Sequence, residues 1–366
     1  DMYLIGCDIG TQGTKSVMVD ESGRVLVEAQ REYDVIKPGS NWAEQWPDVW
    51  ARAAFETIWE VVEKSGVAKE EIAALAISGL YGGSGVPVDR EMKPLYPCLI
   101  WMDRRATDQT GWVKDNIPKE EIFSITGNYV DSYYGFTKMM WLRDNRPEIW
   151  KKIYKFVTPK DYVVYQLTGE NAIDYSSAGN IGGVFNIRKL TWSTDMCKAL
   201  GIPIEYLPER IVRSSDVVGK ITRASSKLCG LPEGTPVVSG GIDAPVAQLS
   251  AGALEEGEHV AMVGTSTCWG TVHDGSELPF GLVNFPYVVH DTERIYSFGG
   301  SATTGALARW FKDEFADSEA SVGLRTGISP YQLLDREVET IPAGSDGIIV
   351  LPYFMGERSP IWDPFA

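Results

Sequence analysis

The sequence predicts an α/β protein built from two related domains, and three observations support that prediction. The chain has 366 residues, whereas a single domain usually has about 100 to 200. Near the N-terminus the predicted order is three strands, a helix and another strand, which differs from simple strand–helix alternation. A strand–turn–strand unit rich in glycine and threonine occurs near residue 10 and again near residue 265, which indicates an internal duplication. We therefore expect domains at 1–245 and 246–366.

Several signals define the elements of the first half. Strands are predicted at 3–9, 16–20 and 24–29, separated by glycine-containing turns. A helix follows from Pro47 to Gly66, and its apolar face is formed by Trp50, Ala54, Ile58 and Val61. A buried strand is predicted at 71–78. Later segments predict helices at 137–145 and 159–167, a strand that leads into 236–241, and the second strand–turn–strand unit at 259–273.

Composition restricts the class of protein. The chain has 34 lysine and arginine residues against 50 aspartate and glutamate residues, so its formal net charge is −16. Nucleic acid is an improbable partner, because binding a phosphate backbone needs a basic surface. The five cysteines are far apart in sequence, which argues against a disulfide framework or a structural zinc site. No apolar run approaches the ~18 residues that span a bilayer, so we expect a cytoplasmic protein with no membrane partner.

The first glycine/threonine turn, at 8–15, has the residue types that bind phosphate. Glycines let main-chain N–H groups approach an anion, and threonine and lysine add donors and positive charge; these residues are Gly10, Thr11, Gly13, Thr14 and Lys15. Asp8, near the end of the first strand, is suited to hold a magnesium ion or its water. The spacing is neither that of a Walker A loop nor that of a dinucleotide-binding loop. The alternative is an ordinary glycine-containing hairpin.

The second turn, at 264–267, strengthens the phosphate interpretation. Two such turns in opposite halves of the chain are what a nucleotide phosphate held from both sides would require. Between them, Asp243 follows a glycine-rich strand end at the predicted domain boundary. A carboxylate at this position could accept the proton of a hydroxyl that attacks a phosphoryl group. An Asx turn or a helix N-cap is the alternative role for Asp243.

Seven segments, taken in order, resemble the FGGY carbohydrate kinases; they are 8–15, 99–105, 137–145, 174–178, 241–243, 264–266 and 356–364. The resemblance covers essentially the whole chain. It implies two ribonuclease-H-like domains of the actin/hexokinase type, with a cleft between them in which ATP and a sugar bind. In that family the second domain continues beyond the last of these segments, so the resemblance implies that the second domain is incomplete here. A homodimer is considered, although the sequence does not set the oligomeric state.

The resemblance also implies roles for individual residues. Asp243 would be the general base, and Asp8 would organise Mg²⁺, with Asp243 as a second carboxylate at the metal. The residues that would bind the phosphates of ATP are Gly10, Thr11, Gly13, Thr14, Lys15, Gly264, Thr265 and Ser266, and Gly305 would lie against the nucleotide. The residues that would contact the sugar, with Asp243, are Tyr81, Trp101, Asp103 and Tyr133. Core packing is the alternative role for Trp101, because the chain contains 12 tryptophans.

The substrate is less well determined than the reaction. The loop at 78–83 carries neither the glycerol kinase nor the xylulokinase signature, and Ala244 follows the expected base where xylulokinases tend to have asparagine. The small residues at 81–84 predict a loop with room for a bulkier ketose or polyol. We expect a pentulose kinase similar to xylulokinases. The alternatives are a kinase of ribulose, erythritol or glycerol, and a non-catalytic regulatory protein that binds sugar or nucleotide.

Overall fold

The computed structural model describes residues 2–264, 266–354, 356–363 and 366. Its strands are β1 (Tyr3–Ile9), β2 (Gly13–Asp20), β3 (Val25–Glu32), β4 (Glu44–Gln45), β5 (Ile72–Gly79), β6 (Val86–Val88), β7 (Cys98–Leu99), β8 (Lys155–Val157), β9 (Ile173–Asp174), β10 (Phe185–Asn186), β11 (Thr191–Trp192), β12 (Ile211–Val212), β13 (Val217–Lys220), β14 (Pro236–Val238), β15 (His259–Val263), β16 (Thr267–His273), β17 (Val283–Pro286) and β18 (Ile295–Gly299).

The α-helices are α1 (Pro47–Ser65), α2 (Thr107–Asn116), α3 (Lys119–Thr126), α4 (Gly135–Asn145), α5 (Pro147–Trp150), α6 (Pro159–Thr168), α7 (Tyr175–Asn180), α8 (Thr194–Leu200), α9 (Arg223–Cys229), α10 (Asp243–Ser250), α11 (Gly305–Phe315), α12 (Asp317–Thr326) and α13 (Pro330–Val338). Among the helices that the structure describes, none combines the length and the apolar character that crossing a bilayer requires.

The main sheet has six strands in the order β13-β14-β5-β1-β2-β3. β1, β2 and β3 form an antiparallel meander, whereas β5 is parallel to β1 and β14 is parallel to β5. The predicted order of three strands, a helix and a further strand is therefore confirmed. Because β1, β5 and β14 run in the same direction, their carboxyl ends lie along one edge of the sheet, which is where open α/β sheets usually bind ligands.

Helix α1 covers one face of this sheet, as its sequence periodicity predicts. Trp50, Ala54, Ile58 and Val61 are buried, and the helix packs against β2 and β3. It ends where Gly66 adopts a left-handed conformation, with φ of 68°. The helix thus provides the apolar layer that supports the hairpin of β1 and β2.

The chain divides into two compact units. Unit 1 comprises 1–258 and 271–297, and unit 2 comprises 259–270 and 298–366. A second sheet has four strands in the order β15-β16-β18-β17. The domain boundary expected between residues 245 and 246 stays a prediction.

Candidate active site

The turn between β1 and β2 is held in a tight conformation by its main chain. The Gly10 amide donates to the Gly13 carbonyl oxygen over 2.8 Å. A Cβ atom on Gly10 would lie 2.9 Å from that same oxygen, and one on Gly13 would lie 2.8 Å from the Arg31 carbonyl oxygen. The turn therefore has no space for a side chain at either glycine, because carbonyl oxygens of the protein lie too close to both Cβ positions.

The two threonines of this turn have different surroundings. The Thr11 hydroxyl accepts a hydrogen bond of 2.9 Å from the Trp101 indole nitrogen. Thr14 is fully buried, and its hydroxyl lies 3.0 Å from the Tyr33 hydroxyl. Lys15 is exposed and forms an ion pair of 2.7 Å with Glu28 on β3. Thr11 and Trp101, predicted for ATP and sugar respectively, are therefore in direct contact, whereas the Thr14 side chain is directed into the protein interior.

Asp8 lies near the carboxyl end of β1 with an exposed side chain. Its Oδ1 accepts a hydrogen bond of 2.7 Å from the Ser78 hydroxyl on β5. The surrounding protein displaces part of the solvent and raises the pKa of Asp8, while the Ser78 hydrogen bond acts in the opposite direction. Ser78 had no assigned role in the sequence analysis. The parallel register, in which residue 8 pairs with residue 78, is the signal that could have identified it.

Asp243 is the first residue of α10, five residues after the end of β14. Its side chain is half-buried, and its Oδ1 accepts a hydrogen bond of 2.8 Å from the Ala244 amide. Desolvation, followed by the negative charge of Asp8, raises the pKa of Asp243 to about 7. The two predicted carboxylates are thus close enough to interact, and Asp243 has the pKa of an effective proton acceptor near neutral pH.

Gly240 permits the close approach that brings Asp243 to this edge of the sheet. Its φ is +66°, and a Cβ atom built on it would lie 1.8 Å from the carbonyl oxygen of Ile77 on β5. The Gly79 amide donates to the Gly241 carbonyl oxygen over 3.2 Å. Only glycine fits at position 240, because any side chain would collide with the main chain of the neighbouring strand.

Tyr81 and Tyr133, two of the aromatic residues predicted for the sugar side, pack together in unit 1. The rings of Tyr81 and Tyr133 have centroids 5.0 Å apart, and both side chains are buried. The Tyr81 hydroxyl accepts a hydrogen bond of 2.5 Å from the Gly135 amide at the start of α4. Burial raises the pKa of Tyr81 well above its usual value, so its hydroxyl stays protonated. Trp101 is half-buried and, through Thr11, joins the loop after β7 to the first turn.

Asp103 is completely buried, and its carboxylate is occupied by protein donors. Its Oδ2 accepts from the Ala43 amide and from Arg105 Nη2, each over 2.7 Å, and Arg105 Nε also donates to it over 2.9 Å. Arg105 forms a second ion pair of 2.8 Å with Glu44. This buried ion-pair network fixes the loop that carries Trp101. Sequence reasoning missed Arg105 and Glu44, because their partnership depends on contacts distant in sequence.

The loop at 80–84 is closely packed. The expectation that small residues at 81–84 leave room for a bulkier substrate is wrong at Gly82 and Gly83. Every residue of this loop is buried. A Cβ atom on Gly82 would lie 2.1 Å from Pro159 Cδ, and one on Gly83 would lie 2.1 Å from the Leu99 carbonyl oxygen. The small residues are therefore needed for contact with neighbouring segments, and the space beside them is filled by protein.

The second glycine/threonine turn belongs to unit 2. The Gly264 amide donates to the Ser266 carbonyl oxygen, and the Gly305 amide donates to the Gly264 carbonyl oxygen, each over 2.9 Å. Gly305 is the first residue of α11, so the amino end of that helix adjoins the turn. Thr265 lies outside the described residues. Three of the four residues predicted to bind nucleotide in this half, Gly264, Ser266 and Gly305, are thus close together. They lie next to the amino end of a helix, which favours anions.

The donor set in unit 1 is compatible with magnesium. No cluster of three or more histidine, cysteine, aspartate or glutamate side chains suitable for a metal occurs among the described residues. Mg²⁺ does not need such a cluster, because it commonly binds one or two carboxylates, several waters and the phosphates of a nucleotide. Asp8 and Asp243 are carboxylates of this kind, and they lie near enough for their charges to interact.

Comparison with known proteins identifies the family. Residues 3–250 match the N-terminal domain of the FGGY family of carbohydrate kinases. The chain is 30% identical over 363 residues to a gluconokinase of Bacillus subtilis, covering 99% of this chain and 69% of that protein. It is 31% identical over 360 residues to a xylulose kinase of the same organism, covering 98% and 69% of the two chains.

Solved structures of similar proteins agree with this result. A ligand-bound xylulose kinase and a gluconate kinase, both from Lactobacillus acidophilus, each superpose with a TM-score of 0.89 and 26% identity, covering 100% of this chain and 71% of the other. The predicted fold class and the predicted enzyme class, a sugar phosphotransferase, are therefore confirmed. This chain belongs to the FGGY family of carbohydrate kinases.

Proposed function

We propose that this chain transfers the γ-phosphoryl group of ATP to a hydroxyl of a pentulose, with Asp243 as the general base. The observation that carries the proposal is the pairing of two carboxylates at the carboxyl ends of parallel strands. Asp8 comes from β1 and is bound by Ser78 of β5, while Asp243 follows β14 and has a pKa of about 7. A base with this pKa exists largely as the carboxylate slightly above neutral pH, and it can still take up a proton.

Phosphoryl transfer depends on positioning and charge neutralisation more than on covalent chemistry. In the proposed step, the Asp243 carboxylate accepts the proton of the sugar hydroxyl as that oxygen attacks the γ-phosphorus, and ADP leaves. The Thr11 hydroxyl and the Lys15 ammonium would contact the phosphates. Contact through Gly10 and Gly13 stays a prediction, because the Gly10 amide already donates to the Gly13 carbonyl oxygen. Contact of Thr14 with the phosphates stays a prediction, because its side chain is buried and its main chain pairs with β1 and β3 in the sheet. For Gly264, Thr265, Ser266 and Gly305, binding of the nucleotide stays a prediction.

Asp8 is the residue that would hold Mg²⁺, with Asp243 as its neighbour. When bound, the ion would neutralise charge on the phosphates during transfer. The exposed carboxylate of Asp8 has one oxygen that accepts from Ser78, which fixes its orientation at the end of β1. This orientation by Ser78 is what the chain itself contributes to metal binding.

The charged residues near Tyr81 and Tyr133 favour a neutral pentulose over an anionic sugar as the substrate. A sugar carboxylate would need an available cation, and both nearby cations are engaged. Arg104 forms an ion pair of 2.7 Å with Asp131, and Lys138 Nζ donates to the Ser132 and Tyr133 carbonyl oxygens over 2.7 and 2.6 Å. Trp101 and Tyr133 supply aromatic surface for the apolar face of a sugar. We assign Asp103 to positioning the Trp101 loop, because protein donors occupy its carboxylate. Gluconate is the second candidate, since a gluconokinase is among the relatives.

A substrate panel tests the reaction and the acceptor together. With ATP and Mg²⁺, we expect ADP release to be fastest with D-xylulose or D-ribulose, and slower with gluconate, erythritol and glycerol. The measurement is a coupled ADP assay at several concentrations of each acceptor. A preference for gluconate would reject the pentulose assignment, and sugar binding without ADP release from any acceptor would identify a regulatory protein.

Replacing the proposed base should remove turnover without unfolding the chain. Asp243→Asn keeps the size of the side chain and removes the proton acceptor, so we expect kcat to fall by about 10²- to 10⁴-fold. The matched control is Asp115→Asn, on the exposed surface of α2, which should retain full activity. Circular dichroism would verify that both variants are folded. Turnover at the wild-type rate in Asp243→Asn would contradict the assignment.

The raised pKa of Asp243 also predicts an effect on stability. The pKa is about 7 in the folded chain and about 4 for an unfolded aspartate, so the folded chain holds the additional proton between these values. The carboxylate therefore makes the free energy of unfolding decrease as the pH rises from about 4 to about 7. Asp243→Asn lacks this effect, so its Tm relative to wild type should increase between pH 5 and pH 8. For Asp115→Asn the difference should be constant, and a constant difference in Asp243→Asn would reject the raised pKa.

A further inference from the structure

A buried cluster of three charged side chains lies behind the segment that leads to Asp243. Lys160 Nζ lies 2.6 Å from Asp161 Oδ1 and 2.9 Å from Asp174 Oδ1, and all three side chains are at most 3% exposed. Burying such ions costs several kcal/mol each, and replacing a buried ion pair by apolar residues of similar volume is often neutral or stabilising. Stability alone therefore does not account for this cluster.

The cluster reaches the main chain just before Asp243 by two routes. Lys160 Nζ donates to the Ser239 carbonyl oxygen over 3.1 Å. Ser176, at the start of α7, donates its hydroxyl to Asp174 and accepts a hydrogen bond of 3.2 Å from the Ile242 amide. Ser176 is fully buried, so water does not replace this acceptor when the hydroxyl is absent.

Other partners complete the restraint on the segment at 239–242. Three amides of this segment donate: Ser239 to the Asp216 carbonyl oxygen (2.9 Å), Gly240 to the Ser214 carbonyl oxygen (2.9 Å) and Ile242 to Ser176 Oγ (3.2 Å). The Gly241 carbonyl oxygen accepts from the Gly79 amide (3.2 Å). The Ser239 and Gly240 amides donate to main-chain carbonyl oxygens, whereas the Ile242 amide, adjacent to Asp243, donates to a side-chain hydroxyl. Its acceptor is oriented by Asp174, which Lys160 holds in turn.

We propose that Ser176 is a positioning residue for Asp243, and that the ion pair of Lys160 with Asp174 fixes the Ser176 hydroxyl for this purpose. The inference rests on the proposed function, in which Asp243 is the base. Asp174 accepts from the Ser176 amide as well as from its hydroxyl, so the serine is held by two bonds to one carboxylate oxygen. Loss of the hydroxyl would leave the Ile242 amide without its acceptor, and the first turn of α10 would shift with it. Small displacements of a catalytic group are costly in rate.

The neighbouring serine provides a matched control. Ser177 also donates its hydroxyl to Asp174, and it is buried on the same helix. In the described hydrogen bonds, its hydroxyl has no contact with 239–242. Ser176→Ala and Ser177→Ala therefore each remove one hydroxyl from the same carboxylate, and only Ser176→Ala removes the acceptor of the Ile242 amide. Neither change adds volume, so both variants should fold.

The test compares kinetics and amide exchange in the two variants of the full chain. We expect Ser176→Ala to lower kcat about tenfold and to change the KM for the sugar less than about threefold, whereas Ser177→Ala should change kcat less than about twofold. Both should lose a similar amount in Tm. Hydrogen exchange of the Ile242 amide should accelerate about tenfold or more in Ser176→Ala alone. Equal loss of kcat in both variants, or a rise in KM alone, would overturn the proposal.

Amide exchange separates this inference from the proposed function. If no sugar is phosphorylated by the wild-type chain, the proposed function fails, while faster exchange at Ile242 in Ser176→Ala alone would still support the restraint on this segment. If the wild-type chain is an active kinase and Ile242 exchanges equally in both variants, the positioning role of Ser176 is rejected and the proposed function stands.

Discussion

Between β5 and β14 there is no space for a Cβ atom at Gly240, and the rest of the site depends on that close approach. The Ile77 carbonyl oxygen would lie 1.8 Å from such an atom. Because the main chains meet here, α10 begins at the edge of the sheet where β1 ends, and Asp243 lies near enough to Asp8 for their charges to interact. Ser78 of β5 then orients Asp8 by one hydrogen bond. Three parallel strands thus lead to the proposed base, the carboxylate proposed to bind Mg²⁺ and the hydroxyl that orients that carboxylate.

Placing Asp243 out of solvent and near Asp8 lowers the stability of the folded chain. The same unfavourable environment gives Asp243 its raised pKa. Removal of Asp243 from solvent, together with the nearby charge of Asp8, destabilises the charged form and raises the pKa of Asp243. A proton acceptor that works near neutral pH is obtained in this way. The buried pair of Lys160 and Asp174 adds a second cost behind the same segment. Active sites often trade stability for activity. The two neighbouring carboxylates and the buried ion pair are therefore expected where a reacting group must be held in one orientation.

Much of this fold follows from local sequence signals, whereas the contacts of the site do not. Alternation and turn residues predict β1 and β2, and the apolar periodicity predicts α1 from Pro47 to the residue before Gly66. The same alternation places Thr14 on the buried face and Lys15 on the exposed face, so the role of Thr14 could have been judged from the strand itself. Asp103 is different, because its partner Ala43 is 60 residues away and reaches it only when distant loops pack. Ser176 likewise carries no local sign that it binds Ile242, 66 residues away.

A direct measurement of the ionisation of Asp243 tests the central claim, that strand packing makes this carboxyl the proton acceptor of the site. The measurement is a ¹³C NMR titration of the aspartate side-chain carboxyls in the metal-free chain, with Asp243→Asn used to assign the resonance. We expect a titration midpoint near pH 7, because the pKa of Asp243 is about 7, and a lower midpoint in Asp8→Asn, where the neighbouring charge is absent. A midpoint near pH 4 that is unaffected by Asp8→Asn would show that packing does not raise the pKa of Asp243.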